Sequence, residues 1–261
     1  MTLTLGIAPL SHQAPTTANY RFDGPRNRVL FTPFPRRLRA RLGGVEVLDT
    51  EAAMLLHESG IFPQVYVPVG DVAMQHLAKT DLSTHCPYKG DASYWTVSAG
   101  GRTEENAVWG YEAPIESAAF IEGYVAFEGG RMDQWFDEDD EIFGHIRDPF
   151  HRVDARPTSR RFVVRIGDET VADTTAAFVV SETGFENRIY IPAADVATDR
   201  FDRSITTTHC PHKGDSAYWS HAASGTTDVA WSYPEPLEEA LRVAGYWSFD
   251  GEGVAIDRLD D

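Results

Sequence analysis

A twelve-residue segment that carries the only two cysteines of the chain occurs twice. Residues 84–95 and 208–219 are identical at nine of twelve positions, and each contains the motif Cys-Pro-x-Lys-Gly. The two segments also hold two of the three lysines, whereas the other 20 basic residues are all arginine. Lysine and arginine differ in hydration, geometry and accessible pKa range, so a lysine kept twice indicates a need for the ammonium group itself. The motif therefore predicts a duplicated site, without naming a reaction.

The proline of the motif predicts a tight turn that brings cysteine and lysine together. Proline presets φ for the second position of a β-turn, whose ends lie within about 7 Å at Cα. Cys86 and Lys89 are therefore expected to be neighbours, as are Cys210 and Lys213. A nearby ammonium favours thiolate chemistry, but a cysteine can also be a small buried hydrophobe and a lysine a clamp on the turn. On an extended segment, His85 would face away from the sulfur.

The repeat extends beyond the motif at a nearly constant spacing. Up to the end of the motif, equivalent residues are 124 positions apart, which aligns Glu58 with Glu182 and Tyr66 with Tyr190. After the motif they are 122 positions apart, which aligns Trp109 with Trp231 and Tyr111 with Tyr233. Two copies are too few for a solenoid, and each copy is long enough to hold its own core. The sequence predicts two homologous domains.

The aligned carboxylates and aromatic residues are candidate site residues. A carboxylate close to the motif lysine would be its salt-bridge partner or a general base, which makes Glu58 and Glu182 candidates. Trp231 and Tyr233 stand two residues apart and share one face of a strand. They wall a pocket for a flat or cationic group, or they belong to the core.

The second copy is predicted to hold the working site. Arg188 stands where the first copy has Gln64, and its guanidinium can bind a carboxylate or phosphate through two hydrogen bonds. Tyr190 follows on the same strand face. The alternative is that Arg188 pairs with linker acids such as Asp148 or Asp154. The predicted catalytic residues are Cys210, Lys213 and Glu182, and the predicted ligand-binding residues are Arg188, Tyr190, Trp231, Tyr233, Cys86, Lys89, Glu58, Tyr66, His151 and Arg152. Linker residues expected to reach over the second site include His151 and Arg152, with His145 and Arg147.

Charge and composition exclude several classes of protein. A net charge of −17 argues against a nucleic acid polymer as partner, because such proteins need a basic surface. Residues 1–18 lack the features of a secretory signal, and no apolar run approaches the roughly 20 residues of a membrane span. One cysteine per copy cannot supply a thiolate zinc site, so neither metal nor cofactor is predicted. We expect a soluble, cytoplasmic protein with a small-molecule ligand; the sequence leaves its oligomeric state open.

Short runs with strand character predict a mainly β chain. Gly43-Gly44 is a hairpin signal, several further strands follow in each copy, and Asp71 to Leu77 has helical spacing. The pattern is typical of small β-sandwich or barrel-like domains with one or two short helices. The predicted boundaries are an N-terminal extension (1–35), the first repeat (36–130), an acidic linker segment (131–157), the second repeat (158–255) and a C-terminal tail (256–261).

Several motifs in the same order resemble a known bacterial family. Tyr66-x-Pro68, Cys86-Pro87-x-Lys89-Gly90, and Trp109-x-Tyr111-x-x-Pro114 with their second copies are similar to the domain of unknown function 427 family, in a tandem arrangement. The resemblance implies a mostly β, tent-like fold, similar in outline to the methionine-sulfoxide-reductase B class. It implies no established activity, although the label nucleotidyltransferase-like is attached to the family.

Two classes of function follow from these residues. The first is an enzyme acting on a small anionic or nucleotide-like substrate through the duplicated motif. The second is a non-catalytic module that binds a small ligand or a protein partner. The reactivity of the cysteines discriminates between them, since a fast-reacting thiol favours chemistry.

Overall fold

The computed structural model describes residues 3–14, 17, 19 and 24–259. The chain divides into two compact units, Met1–Phe150 and His151–Asp261, here called the first and second domain. Each has its own sheets and its own hydrophobic clusters.

The first domain contains two antiparallel sheets. Its strands are β1 (Val29–Pro33), β2 (Leu38–Leu42), β3 (Val45–Thr50), β4 (Met54–Glu58), β5 (Gln64–Pro68), β6 (Leu77–Cys86), β7 (Gly90–Ala99), β8 (Arg102–Gly110), β9 (Tyr124–Phe127), β10 (Gln134–Asp137) and β11 (Asp140–Ile142). Seven strands form one sheet in the order β1-β4-β5-β9-β8-β7-β6, and four form the other in the order β11-β10-β2-β3. Short 3-10 helices lie at Val69–Asp71, Met74–His76, Glu116–Ile121 and Gly129–Arg131.

The second domain repeats this plan with shorter sheets. Its strands are β12 (Val153–Pro157), β13 (Arg161–Ile166), β14 (Glu169–Thr174), β15 (Phe178–Glu182), β16 (Arg188–Tyr190), β17 (Phe201–Cys210), β18 (Gly214–His221), β19 (Thr226–Ser232), β20 (Trp247–Phe249) and β21 (Val254–Leu259). The sheets have the orders β12-β15-β16, β14-β13-β21 and β17-β18-β19-β20. A bridge between Ile191 and Trp247 joins the end of β16 to β20, which reproduces the strand order of the large sheet in the first domain. Short 3-10 helices lie at Ala193–Asp195, Thr198–Arg200 and Glu238–Val243.

The mainly β prediction is confirmed, and the single short helix predicted at Asp71 to Leu77 is divided into two 3-10 helices. They span Val69–Asp71 and Met74–His76, and Val72 and Ala73 lie between them; Val72 forms a bridge with Leu48. The amide of the next residue, Ala73, donates to the carbonyl of Val47 at 3.0 Å. Because the sheet takes these backbone groups, an α-helical ladder cannot run through them.

The Gly43-Gly44 hairpin between β2 and β3 is confirmed. Both glycines have positive φ, 56° and 74°, as a two-residue hairpin turn of this hand requires. A side chain at Gly43 would also clash with the neighbouring backbone, because its Cβ would lie 2.6 Å from the carbonyl oxygen of Ala99.

Segments outside the predicted repeats take part in the sheets. Residues 29–33 of the predicted N-terminal extension form β1, and other parts of that extension lie outside the described residues. The predicted linker supplies β10 and β11 to the first domain and β12 to the second. Residues 254–259 form β21, and residues 260 and 261 lie outside the described residues.

Each domain has a larger and a smaller hydrophobic cluster. The smaller ones contain the tyrosines of the predicted site, Tyr66 and Tyr111 in the first domain and Tyr190 and Tyr233 in the second. Within the described residues, no helix has the length and apolar character needed to cross a membrane.

Candidate functional site

The Cys-Pro-x-Lys-Gly motif forms a β-turn between two long strands in each domain, as predicted. The amide of Lys89 donates to the carbonyl of Cys86 at 3.2 Å, and the amide of Lys213 donates to that of Cys210 at 3.2 Å. The following glycine has φ of 102° in the first copy and 95° in the second, a conformation that favours glycine. The turn thus fixes the backbone of the lysine at the end of a rigid hairpin.

The lysine of each turn pairs with the aligned glutamate. The ammonium of Lys89 donates to Glu58 Oε2, and that of Lys213 donates to Glu182 Oε2. Both side chains of the first pair are 9% exposed, and those of the second are 12% and 11% exposed. The pair therefore connects the end of β4 or β15 to the motif turn inside the protein. Each glutamate is thus the salt-bridge partner of the motif lysine, which is one of the two roles predicted for it.

A third side chain completes the contacts of each glutamate. Asn27 Nδ2 donates to Glu58 Oε1 at 2.8 Å, and His151 Nε2 lies 3.1 Å from Glu182 Oε1. Asn27 and His151 are 124 residues apart, so they occupy equivalent positions. The sequence prediction included His151 and missed Asn27, because the two residues differ in type. Their shared spacing of 31 residues from the glutamate was the available signal.

In the second copy, His151 leads on to two more ionisable side chains, His212 and Glu239. The ring of His151 lies 4.0 Å from that of His212, whose Nδ1 is 3.2 Å from Glu239 Oε1. At the positions equivalent to His212 and Glu239 the first copy has Tyr88 and Ser117. Five ionisable side chains are therefore in consecutive contact: Lys213, Glu182, His151, His212 and the half-buried Glu239.

The second Glu–Lys pair stays charged over the physiological pH range. Burial alone would raise the pKa of Glu182, but the hydrogen bond from His151 and the charge of Lys213 outweigh it and lower that pKa to about 2. Burial acts to lower the pKa of Lys213, but the charge and hydrogen bond of Glu182 leave it raised. Each group thus fixes the charge of its partner.

Most of the predicted aromatic wall belongs to the core. Tyr190 and Tyr233 are 1% and 6% exposed, and burial raises the pKa of both phenols. Trp231 is half-buried and its indole N–H donates to the Tyr190 hydroxyl at 3.3 Å. Tyr66 has the same buried position in the first copy. Of the predicted second-copy aromatics, Trp231 is therefore the one that remains partly accessible.

Arg188 lies over this tryptophan. Its guanidinium carbon is 5.6 Å from the Trp231 ring centroid, and its Nη1 is 2.8 Å from Asp250 Oδ2. Neither of these partners was predicted. Asp154, one of the predicted alternatives, instead pairs with Arg152 at 2.9 Å and with Arg156 at 3.0 Å.

Beside Arg188 the second domain has an open cavity of about 440 Å³, which is lined by Tyr218, Asp228, Trp231, Asp250 and Gly251. Asp228 has the positive φ of 55°, and its Oδ2 accepts a hydrogen bond from Thr206 at 2.7 Å. Asn106 occupies the equivalent position in the first copy with φ of 53°. The cavity therefore combines two aromatic faces with two carboxylates and a neighbouring guanidinium.

The remaining predicted residues are not among those that line this cavity. Arg152 is exposed and pairs with Asp154, and His145 and Arg147 belong to the first domain. His85 pairs across its hairpin with Asp91 at 2.6 Å. Cys86 and Cys210 are half-buried free thiols that pack against the smaller hydrophobic clusters. The described part of the chain holds no group of three or more His, Cys, Asp or Glu placed to bind a metal ion.

One family model matches the chain twice. It is described as a domain of unknown function (DUF427), and it matches residues 30–138 and 154–260, one stretch in each domain. A comparison with curated proteins found no match.

Proposed function

We propose a function for this chain, which belongs to the domain of unknown function 427 family and contains two consecutive copies of that domain. The proposal is that its second domain binds a small flat anion. A mononucleotide is one such ligand. In this proposal the plane of the ligand lies against Trp231, and its charge is held by Arg188.

The observation that carries the proposal is the position of the Arg188 guanidinium. It contacts Trp231 and Asp250, two of the residues that line a cavity of about 440 Å³, a volume within the usual range for small-ligand sites. Its present partner is exchangeable, because Arg188 and Asp250 are 46% and 59% exposed and exposed ion pairs contribute only about 0–1 kcal/mol. An incoming phosphate or carboxylate can replace Asp250 and form two bonds with the guanidinium.

The comparison between copies supports the second domain as the binding one. The first domain keeps the tryptophan, Trp109, but has Gln64 in place of the arginine. It therefore offers an aromatic face without a charge. The buried Glu182–Lys213 pair has a supporting role in this proposal, because its charges already neutralise each other. Tyr190 accepts the hydrogen bond of the Trp231 indole, and the charges of Lys213 and Glu182 act on its hydroxyl.

Acid–base or thiol chemistry on the same ligand is the second candidate function. It is favoured by the two histidines beside Glu182, since histidine changes charge near neutral pH and the first domain has none at these positions. In this alternative Cys210, Lys213 and Glu182 are the catalytic residues. Alkylation by iodoacetamide tests it with an internal control, because Cys86 occupies the same turn without the histidines. A faster reaction of Cys210 supports chemistry, and equal slow rates contradict it.

The binding proposal is tested by calorimetric titration of the full chain. The probes are adenosine monophosphate and 1-naphthyl phosphate, compared with adenosine and 1-naphthol. We expect the phosphates to bind more tightly than their neutral counterparts. Arg188→Gln, which restores the residue of the first copy, should weaken phosphate binding by about tenfold, the value of one charge-assisted hydrogen bond.

A matched control is available in the same domain. Arg161 is also 46% exposed and pairs with Asp173, so Arg161→Gln removes an equivalent charge away from the cavity. Phosphate affinity should survive this change. Equal losses in both variants, or no binding of either phosphate at millimolar concentration, would overturn the proposal.

A further inference from the structure

The first domain has a cavity of its own, with a volume of about 540 Å³. Its walls are largely apolar and come from β4, β5, β9, β10 and the segment after β11. Lining residues include Leu55, Phe62, Phe127, Trp135, Ile142 and Ile146. The volume suits a small organic molecule, and the walls favour a ligand with an apolar body.

A buried carboxylate lines this cavity. Asp148 is 5% exposed, and one of its oxygens, Oδ1, accepts a hydrogen bond from the amide of Phe150 at 2.9 Å. Its other oxygen, Oδ2, is buried and has no hydrogen-bond partner among the residues that the structure describes. A buried ionised oxygen without such a partner is costly, so a donor supplied by a ligand would be stabilised there.

The neighbouring histidine does not supply the missing positive charge. His57 Nδ1 lies 3.9 Å from Asp148 Oδ2, which is too long for a hydrogen bond. Burial lowers the pKa of His57, and the charge of Asp148 opposes this only in part. At neutral pH the imidazole is therefore uncharged.

The other charged residues around the cavity favour a cation as well. Glu128, Asp133 and Glu141 line it together with Asp148. Asp133 is paired with Arg102, and the other lining residues that the structure describes still carry an excess of negative charge. An anionic ligand would be repelled, whereas a cation would gain from each of these carboxylates.

We propose that this cavity binds a small apolar molecule that carries one protonated amine, with Asp148 as the counter-ion. The site is separate from the anion site proposed for the second domain. It is also not duplicated, because Glu186 and Asn187 stand in the second copy where Phe62 and Pro63 line the cavity.

Three probes with one carbon skeleton test the proposal: 4-phenylbutylammonium, 4-phenylbutan-1-ol and 4-phenylbutyrate. Their affinities for the full chain are measured at pH 7 by ligand-observed NMR titration. We expect the ammonium to bind at least tenfold more tightly than the carboxylate, with the alcohol in between. Equal affinities for ammonium and carboxylate, or no binding of the ammonium at millimolar concentration, would refute the proposal.

Variants assign the probe to the cavity. Asp148→Asn should weaken binding of the ammonium by about tenfold and leave the alcohol unchanged, whereas the exposed control Asp168→Asn should change neither. Phe62 is 45% exposed, so Phe62→Ser should fold even if Asp148→Asn does not, and it should weaken all three probes. Unchanged affinities in Phe62→Ser would place the probes elsewhere and reject the site. Arg188→Gln should leave ammonium binding intact, which separates this test from that of the second domain.

Discussion

Replacing Glu182 by glutamine should destabilise the second domain strongly at neutral pH. The substitution keeps the size of the side chain but removes the charge that Lys213 and His151 contact. The pKa of Glu182 is lowered from 4.5 to about 2, and each unit corresponds to about 1.4 kcal/mol. The carboxylate therefore contributes about 3 kcal/mol at pH 7, which agrees with the roughly 3–5 kcal/mol lost when a buried ion pair is broken on one side.

The sign of the pH dependence follows from the same shift. Because the folded pKa is lowered, this contribution is fully present above the unfolded pKa of about 4.5 and is lost as pH falls towards 2. About 40% of it should remain at pH 3. The difference in unfolding free energy between the native chain and Glu182→Gln should therefore shrink on acidification.

Hydrogen–deuterium exchange in urea measures this free energy for the second domain alone, on peptides from β15 and β18. Glu186→Gln is the matched control, since Glu186 is exposed in the same domain. The control should change the unfolding free energy by less than about 0.5 kcal/mol. A loss in Glu182→Gln no larger than in the control, or a loss that is equal at pH 7 and pH 3, would refute the reasoning.

Two further predictions concern a hairpin and a surface ion pair. Gly44→Ala should cost about 1–2 kcal/mol of unfolding free energy from its left-handed backbone alone. Gly43→Ala should cost more, because its Cβ would also meet a backbone oxygen at 2.6 Å. Hydrogen–deuterium exchange in urea on peptides from β2 and β3 measures both costs, and equal costs would contradict the close approach. Asp250→Asn should raise calorimetric affinity for 1-naphthyl phosphate up to about fivefold, since it releases Arg188 from an exposed pair, and an unchanged or lower affinity would count against the exchange of partners.

The duplication and the local turn chemistry were predictable from the sequence. Identical spacing aligned Glu58 with Glu182, and proline followed two residues later by lysine and glycine predicted the turn. Both depend on residue identity or on contacts within a few positions. The short helix predicted at Asp71 to Leu77 is divided into two 3-10 helices, because the backbone groups between them bond to β3, a contact that local spacing does not contain.

Partners that come from distant strands were not predictable in this way. Asp250 lies 62 residues after Arg188, and only the pairing of β19 with β20 brings its neighbourhood to Trp231. The cavity of the first domain brings the segment after β11 next to Phe62 and Pro63, which precede it by about 80 residues. Asn27 escaped because the equivalent residue, His151, has a different chemical type but contacts the same carboxylate.

The paired Glu–Lys turns give this molecule an internal reference. Both domains hold the same carboxylate and ammonium at the end of the same hairpin, but only the second surrounds them with His151 and His212. A spectroscopic label on the two lysines would thus report the same group twice in one sample, once with the two histidines beside its glutamate and once with Asn27 and Tyr88 at the equivalent positions. Temperature, salt and solvent would act on both signals together, so their difference would isolate the effect of the histidines.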